Sequence, residues 1–191
     1  EVKDLILIDS IGAIYQGRSS LNSYKKELAK KTNKDRIKGR LEEALVGADV
    51  FIGVSRGNLL DKDMIKSMKK DPIIFALANP TPEIMPQEAY EAGAAIVGTG
   101  RSDYPNQINN ALVFPGMFRG LLASRTPKVT EAMKIKAALA LAYSVKPKKD
   151  KILPLVTDKR VAKVVADSLL SFKISKNELK RGAAEFCTSV K

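Results

Sequence analysis

The chain has no histidine and only one cysteine, Cys187. A disulfide framework and the usual zinc sites, which draw on those two residue types, are excluded within these residues. A reducing, cytoplasmic compartment is the expected setting. No run of about 18 apolar residues occurs, so no membrane partner is expected through a spanning helix. The charged start Glu1-Val2-Lys3-Asp4 leads straight into a strand pattern and does not read as a signal peptide. Aromatic residues make up only 6%, and nine of the 33 basic residues are arginines. A nucleic-acid reader wants arginine forks and stacking rings, so no nucleic-acid partner is expected. The net charge of +12 instead reads as lysines on solvated helix faces, with attraction for anionic metabolites as a side effect. One more absence matters later: no G-x-G-x-x-G segment is present.

What remains is ample for one cored domain, with 191 residues and 45% hydrophobic content. Apolar runs alternate with helical patterns. Leu5-Ile6-Leu7-Ile8, Asp49–Ser55, Ile73–Ala78 and Ala94–Gly98 read as four strands buried in a parallel sheet. Between them, Ser19–Lys31 reads as a helix capped by Ser20 or Asn22. Arg40–Gly47 is a short helix, Asp61 caps another, and Pro86–Gly93 has proline at its start and glycine past its end. Gln107 onward reads as a helix interrupted at Pro115-Gly116. Val129–Val145 is a helix with Ala132, Ile135, Leu139, Ala142 and Tyr143 on its apolar side. Lys146–Asp150 is a charged linker, followed by helices over 158–172 and 175–186. The fold class is therefore α/β: a doubly wound parallel sheet of Rossmann type with C-terminal helices. Residues 1–145 form a dinucleotide-binding domain, and 146–191 the linker and closing helices. A chain that opens on a buried strand looks incomplete at its N-terminus. The register fits a second strand, with the missing glycine loop upstream.

Open α/β sheets place ligands beyond the carboxyl ends of their strands. Those ends here are Asp9, then Gly53-Val54-Ser55, then Asn79, then Gly98-Thr99-Gly100. An acid at the end of a second Rossmann strand accepts the ribose hydroxyls of NAD and repels the extra phosphate of NADP; capping a turn is the other reading of Asp9. Gly53 and Ser55 let a ring or sugar approach the backbone, or simply make a tight strand–loop turn. Asn79, followed by Pro80, offers an amide donor and acceptor, although Asn-Pro is also ordinary turn chemistry. Asn106-Gln107-Ile108-Asn109-Asn110 puts four amides in five residues at a helix start, where side-chain donors and backbone N–H groups suit a small carboxylate. Arg101 reads as a bidentate carboxylate clamp or a surface arginine.

Taken together, Ile8-Asp9-Ser10-x-Gly12, Phe51–Ser55, Phe75–Glu83, Thr99–Asn110 and Phe114-Pro115-Gly116 resemble the malic enzymes, most closely the short bacterial type, over most of residues 1–170. The resemblance implies oxidative decarboxylation of malate to pyruvate and CO2, with NAD or NADP reduced and a divalent Mg or Mn ion. It implies that Asn79 and Asn109 contact malate and the nicotinamide, with Asn110 beside them. Asp9 falls at the adenosine ribose, and Gly53, Val54 and Ser55 line the dinucleotide. The family's acid–base pair and metal ligands lie in an earlier part of its polypeptide, so no catalytic or metal-ligating residue is assigned here and these residues alone are expected to be inactive. The partners implied are malate or pyruvate, the N-terminal part of the same enzyme, and further copies in a homo-oligomer. A malolactic enzyme and a non-catalytic nucleotide-binding module are the competing readings. Asn79 and Asn109 are expected to converge on one crevice.

Overall fold

The computed structural model describes residues 2–170. The expected helix over 175–186 and Cys187 lie outside them. Two short strands, β1 (Ile8–Asp9) and β2 (Gly12–Ala13), form an antiparallel hairpin. Helices α1 (Ser23–Lys31) and α2 (Leu41–Leu45) follow. Then β3 (Val50–Gly53), α3 (Lys62–Ser67), β4 (Ile73–Ala76), α4 (Pro86–Glu91) and β5 (Ile96–Thr99) alternate. A 3-10 turn (Asn110–Leu112), α5 (Phe114–Ser124), α6 (Glu131–Tyr143) and α7 (Arg160–Leu170) complete the described chain.

The sheet is parallel, in the order β3-β4-β5, with Val50 opposite Ile73 and Ile73 opposite Ile96. Parallel neighbours need a crossover, and α3 and α4 supply it. Their starts are written locally: Asp61 accepts from the Met64 N–H at 2.8 Å, and Pro86 occupies the first turn of α4. Strand residues Phe51, Ile74, Ala76 and Val97 meet Leu41, Leu45, Ile65, Met68 and Ala89 in the main core. The Rossmann-like α/β class is as expected.

Several elements differ from their expected form. Residues 5–8 do not join the parallel sheet, because their backbone groups are used elsewhere. Leu7 O accepts from Ile14 N, Leu5 O accepts from Asn33 N, and the neighbouring Ala13 N donates to Gly39 O. The strand over 49–55 is not buried on both faces: Val50 is 44% and Ile52 60% exposed, since β3 lies at the sheet edge and its outer face is uncovered among the described residues. Along β4, likewise, Ile74 and Ala76 are buried while Ile73 and Phe75 are half-buried. No helix starts at Gln107. Thr99 N donates to Asn106 O and Ile108 N to Thr99 O, which extends the sheet instead, and Pro115 then sits in the first turn of an unbroken α5. On α6 the buried stripe is Met133, Ala137 and Leu141, leaving Ile135 41% and Tyr143 54% exposed. This helix is alanine-rich and apolar nearly all round, so periodicity cannot choose its face; packing on α7 does.

Helices α5 and α7 pack at very short range. A Cβ at Gly116 would meet Ala162 O at 2.8 Å, and one at Gly120 would meet the Leu169 side chain at 2.7 Å. Two glycines one helical turn apart thus let the backbones approach. Asn106 ties this helical layer to the sheet. Its Nδ2 donates to Val97 O (3.0 Å) and Lys149 O (2.8 Å), and its Oδ1 accepts from Ile152 N (2.9 Å). The amide that sequence grouped with the ligand donors is a buried bracket, holding the charged segment after α6 against the end of β5. Asn106→Ala strands three backbone groups, those of Val97 and Ile152 in buried bonds, and is expected to destabilise the fold by about 3 kcal/mol, read as a lowered midpoint in urea unfolding.

Candidate functional site

The carboxyl ends of β3 and β4 are joined by one side chain, Glu83, which is fully buried (0% exposed). Its Oε1 accepts from Ser55 N at 3.1 Å and its Oε2 from Ala78 N at 3.0 Å. Its backbone oxygen accepts from Leu59 N and Leu60 N, and Pro82 O accepts from Asn58 N. The loop after β3 and the loop after β4 are therefore zipped together along 55–60 and 78–83. Gly53 faces the carboxyl group, and a Cβ there would overlap it. The glycine makes room for a protein carboxylate at this point.

On the solvent side of that bracket, Val54, Ser55 and Asn79 are exposed, and Gly53 is buried beneath. Next to β4, the end of β5 is Thr99, fully buried, with Gln107 paired alongside. Asn109 follows two residues later. It is half-buried, and its Oδ1 accepts from Ala111 N at 2.9 Å to cap the 3-10 turn. Asn110 is exposed in that turn. Asn79 and Asn109 thus both follow the carboxyl ends of adjacent strands, on the same edge of the sheet. Arg101 stitches the two loops, donating to Pro80 O at 3.4 Å. Its fork is otherwise spent on Asp103, at 2.9 and 2.7 Å, so it is not a free carboxylate clamp.

Asp9 sits in a charged cluster apart from the sheet. Oδ1 accepts from Ile11 N (3.0 Å) and Gly12 N (3.2 Å), which closes the hairpin turn. Oδ2 pairs with Arg18 at 2.5 Å and Lys25 at 2.6 Å. Arg18 also donates to Gly12 O and Ala13 O, while its Nε is buried without a partner. The Arg18 guanidinium, with Lys25 and the two backbone donors, holds the Asp9 carboxyl well below the usual carboxylate range against the opposing effect of burial. One acid against two cations leaves this corner positive.

Two of these features escaped the sequence reading. Glu83 is an acid between buried Pro82 and Ile84, and an acid flanked by buried positions was the available signal. Lys25 gave none, since lysines recur along all of α1. Among the described residues, no group of three or more Asp, Glu, His or Cys side chains is placed to hold a metal.

Because folded Asp9 titrates below its unfolded value of about 3.9, its stabilisation is complete above that pH and fades as pH falls through the folded value. Asp9→Asn leaves buried Arg18 without its counter-charge. It is expected to cost about 2 kcal/mol near neutral pH, with the gap from wild type narrowing progressively as pH falls below about 4 in acid titrations of the unfolding midpoint.

Comparison with known proteins agrees with this fold. Residues 1–172 match the family model of the malic enzyme NAD-binding domain. A bifunctional malic/malolactic enzyme of Bacillus subtilis is 54% identical over 172 residues, covering 88% of this chain and 42% of that protein. An NADP-dependent malic enzyme of Rhizobium meliloti is 51% identical over 142 residues, 73% of this chain and 18% of the relative. The crystal structure of an NAD-dependent malic enzyme from Thermotoga maritima has a TM-score of 0.85 at 46% identity, over 89% of this chain and 45% of that one. The chain spans less than half the length of each of these proteins. By fold and by sequence, then, the chain belongs to the malic enzymes, its residues 1–172 matching their NAD-binding domain.

Proposed function

We propose that this chain is the dinucleotide-binding part of an enzyme that converts malate to pyruvate and CO2 with reduction of NAD or NADP. The observation that carries the reading is the row of groups at adjacent strand ends: exposed Val54 and Ser55 after β3, exposed Asn79 after β4, and half-buried Asn109 with exposed Asn110 beyond β5. The position suits a dinucleotide, because strand ends of a parallel sheet leave a crevice between the loops.

In this reading Gly53, Val54 and Ser55 line the dinucleotide, and Asn79 and Asn109 lie against nicotinamide and malate. Held there, the cofactor would supply an acceptor for the C2 hydride of malate, the redox half of the conversion. Asn79, Asn109 and Asn110 offer amide N–H donors to the substrate carboxylates, and the bracketed loops hold those donors in place, so orientation is this chain's contribution. Asp9 serves the adenosine ribose. With Arg18 and Lys25 beside it, the repulsion a lone acid would exert on a phosphate is offset, so the reading covers both cofactors. The described residues do not fit a divalent metal, since no three acidic, histidine or cysteine side chains converge among them.

A malolactic reaction, malate to lactate, is the second reading, favoured by the likeness to the bifunctional malic/malolactic enzyme of Bacillus subtilis. Product analysis for pyruvate against lactate separates the two. For either, Asn79→Ala and Asn109→Ala in the intact enzyme are expected to lower kcat by about a hundredfold or more with the circular dichroism spectrum unchanged. Wild-type kinetics in both variants would sink the assignment of these amides.

A further inference from the structure

We infer that Glu83 is a positioning residue of the cofactor site: its buried carboxylate sets where the loops after β3 and β4 stand relative to each other, and so places Ser55 and Asn79 as a pair. The inference rests on the dinucleotide reading of those loops. Three observations carry it. The carboxylate spans the two strands beyond their last ladder positions, with one oxygen on each loop, Oε1 to Ser55 N and Oε2 to Ala78 N. Ala78 immediately precedes Asn79, and Ser55 belongs to the exposed stretch after Gly53, so each bonded amide is at or next to a residue that faces the crevice. Finally, Gly53 leaves the space that the carboxyl group fills.

A core that needed only volume here would be filled by leucine or methionine without the desolvation cost of a carboxylate. What an apolar side chain lacks is two acceptors held a fixed distance apart. A carboxylate accepts on both oxygens, whereas an amide turns an N–H toward one of the two backbone donors. Glu83→Gln therefore keeps the shape and breaks the bracket on one side. Glu83→Asp keeps both acceptors but withdraws them by one methylene.

The test uses the intact enzyme and two readouts, amide hydrogen exchange and NADH affinity measured by fluorescence of the reduced nicotinamide. For Glu83→Gln we expect exchange at Ser55 and Ala78 to quicken more than tenfold while the centre of β4 at Ile74 keeps its protection. The NADH Kd should rise at least tenfold, with Glu83→Asp intermediate in both. Faster exchange with unaltered NADH affinity would reduce Glu83 to a structural residue and overturn the proposal. Unaltered exchange, or protection lost equally across the whole sheet, would also overturn it. Should Glu83→Gln fail to fold, Glu83→Asp is judged by the same two readouts. A wild type that binds neither NADH nor NADPH overturns the dinucleotide reading itself, and the role of Glu83 in the site with it; normal wild-type binding with an indifferent Glu83→Gln sinks only the present inference.

Discussion

The fold's ligand-facing edge depends on a buried negative charge. Taking a carboxylate out of water costs several kcal/mol even after relaxation, unless hydrogen bonds replace its hydration. At Glu83 the replacement comes from two backbone N–H groups on two different loops, Ser55 and Ala78. The bonds return desolvation energy only when both loops are in place at once. The carboxylate thus couples the segment after β3 to the segment after β4, and the backbone contacts of Asn58, Leu59 and Leu60 with Pro82 and Glu83 continue that coupling. The exposed stretch Val54-Ser55 and the exposed Asn79 are held by this arrangement, not by regular secondary structure.

A second bracket works on the same principle with a neutral group. Asn106 spends its amide on three backbone atoms, from Val97 in the sheet and from 149 and 152 beyond α6. Sheet and helical layer are therefore joined by directed bonds. The helical layer has its own core of Leu112, Ala137, Leu141, Val161 and Val165, with Gly116 and Gly120 drawing α5 onto α7. By contrast, most of the ion pairs are exposed and local, such as Lys30–Glu27, Lys66–Asp63 and Lys134–Glu131, and contribute little. Asp9 with Arg18 is the exception, because both side chains are largely buried.

Much of the sheet was legible because its signals are local. The runs around Ile73 and Ile96 are short and bounded by turn formers, and Asp61 and Pro86 mark helix starts through groups within one turn of themselves. The amide cluster at 106–110 was visible as a polar anomaly, but its division of labour was not. Asn106 turned inward because its partners lie 43 and 46 residues away, at Lys149 and Ile152. The face of α6 was misjudged for a related reason: an alanine-rich helix offers several sides, and its neighbour α7 decides between them.

By itself the sequence determined the alternation of strands and helices, the order of strand ends that carry Gly53–Ser55, Asn79 and Thr99, and the motifs shared with the malic enzymes. Each of these rests on residues close together in the chain, where periodicity, proline and glycine act directly on the backbone. Tertiary structure alone decided that Leu5–Ile8 leaves the sheet, that Asp9 is matched by Arg18 and Lys25, and that Glu83 is a carboxylate shared by two loops. Those outcomes depend on which unsatisfied donor or charge lies nearest in space, and nearness in space is settled only when distant segments pack.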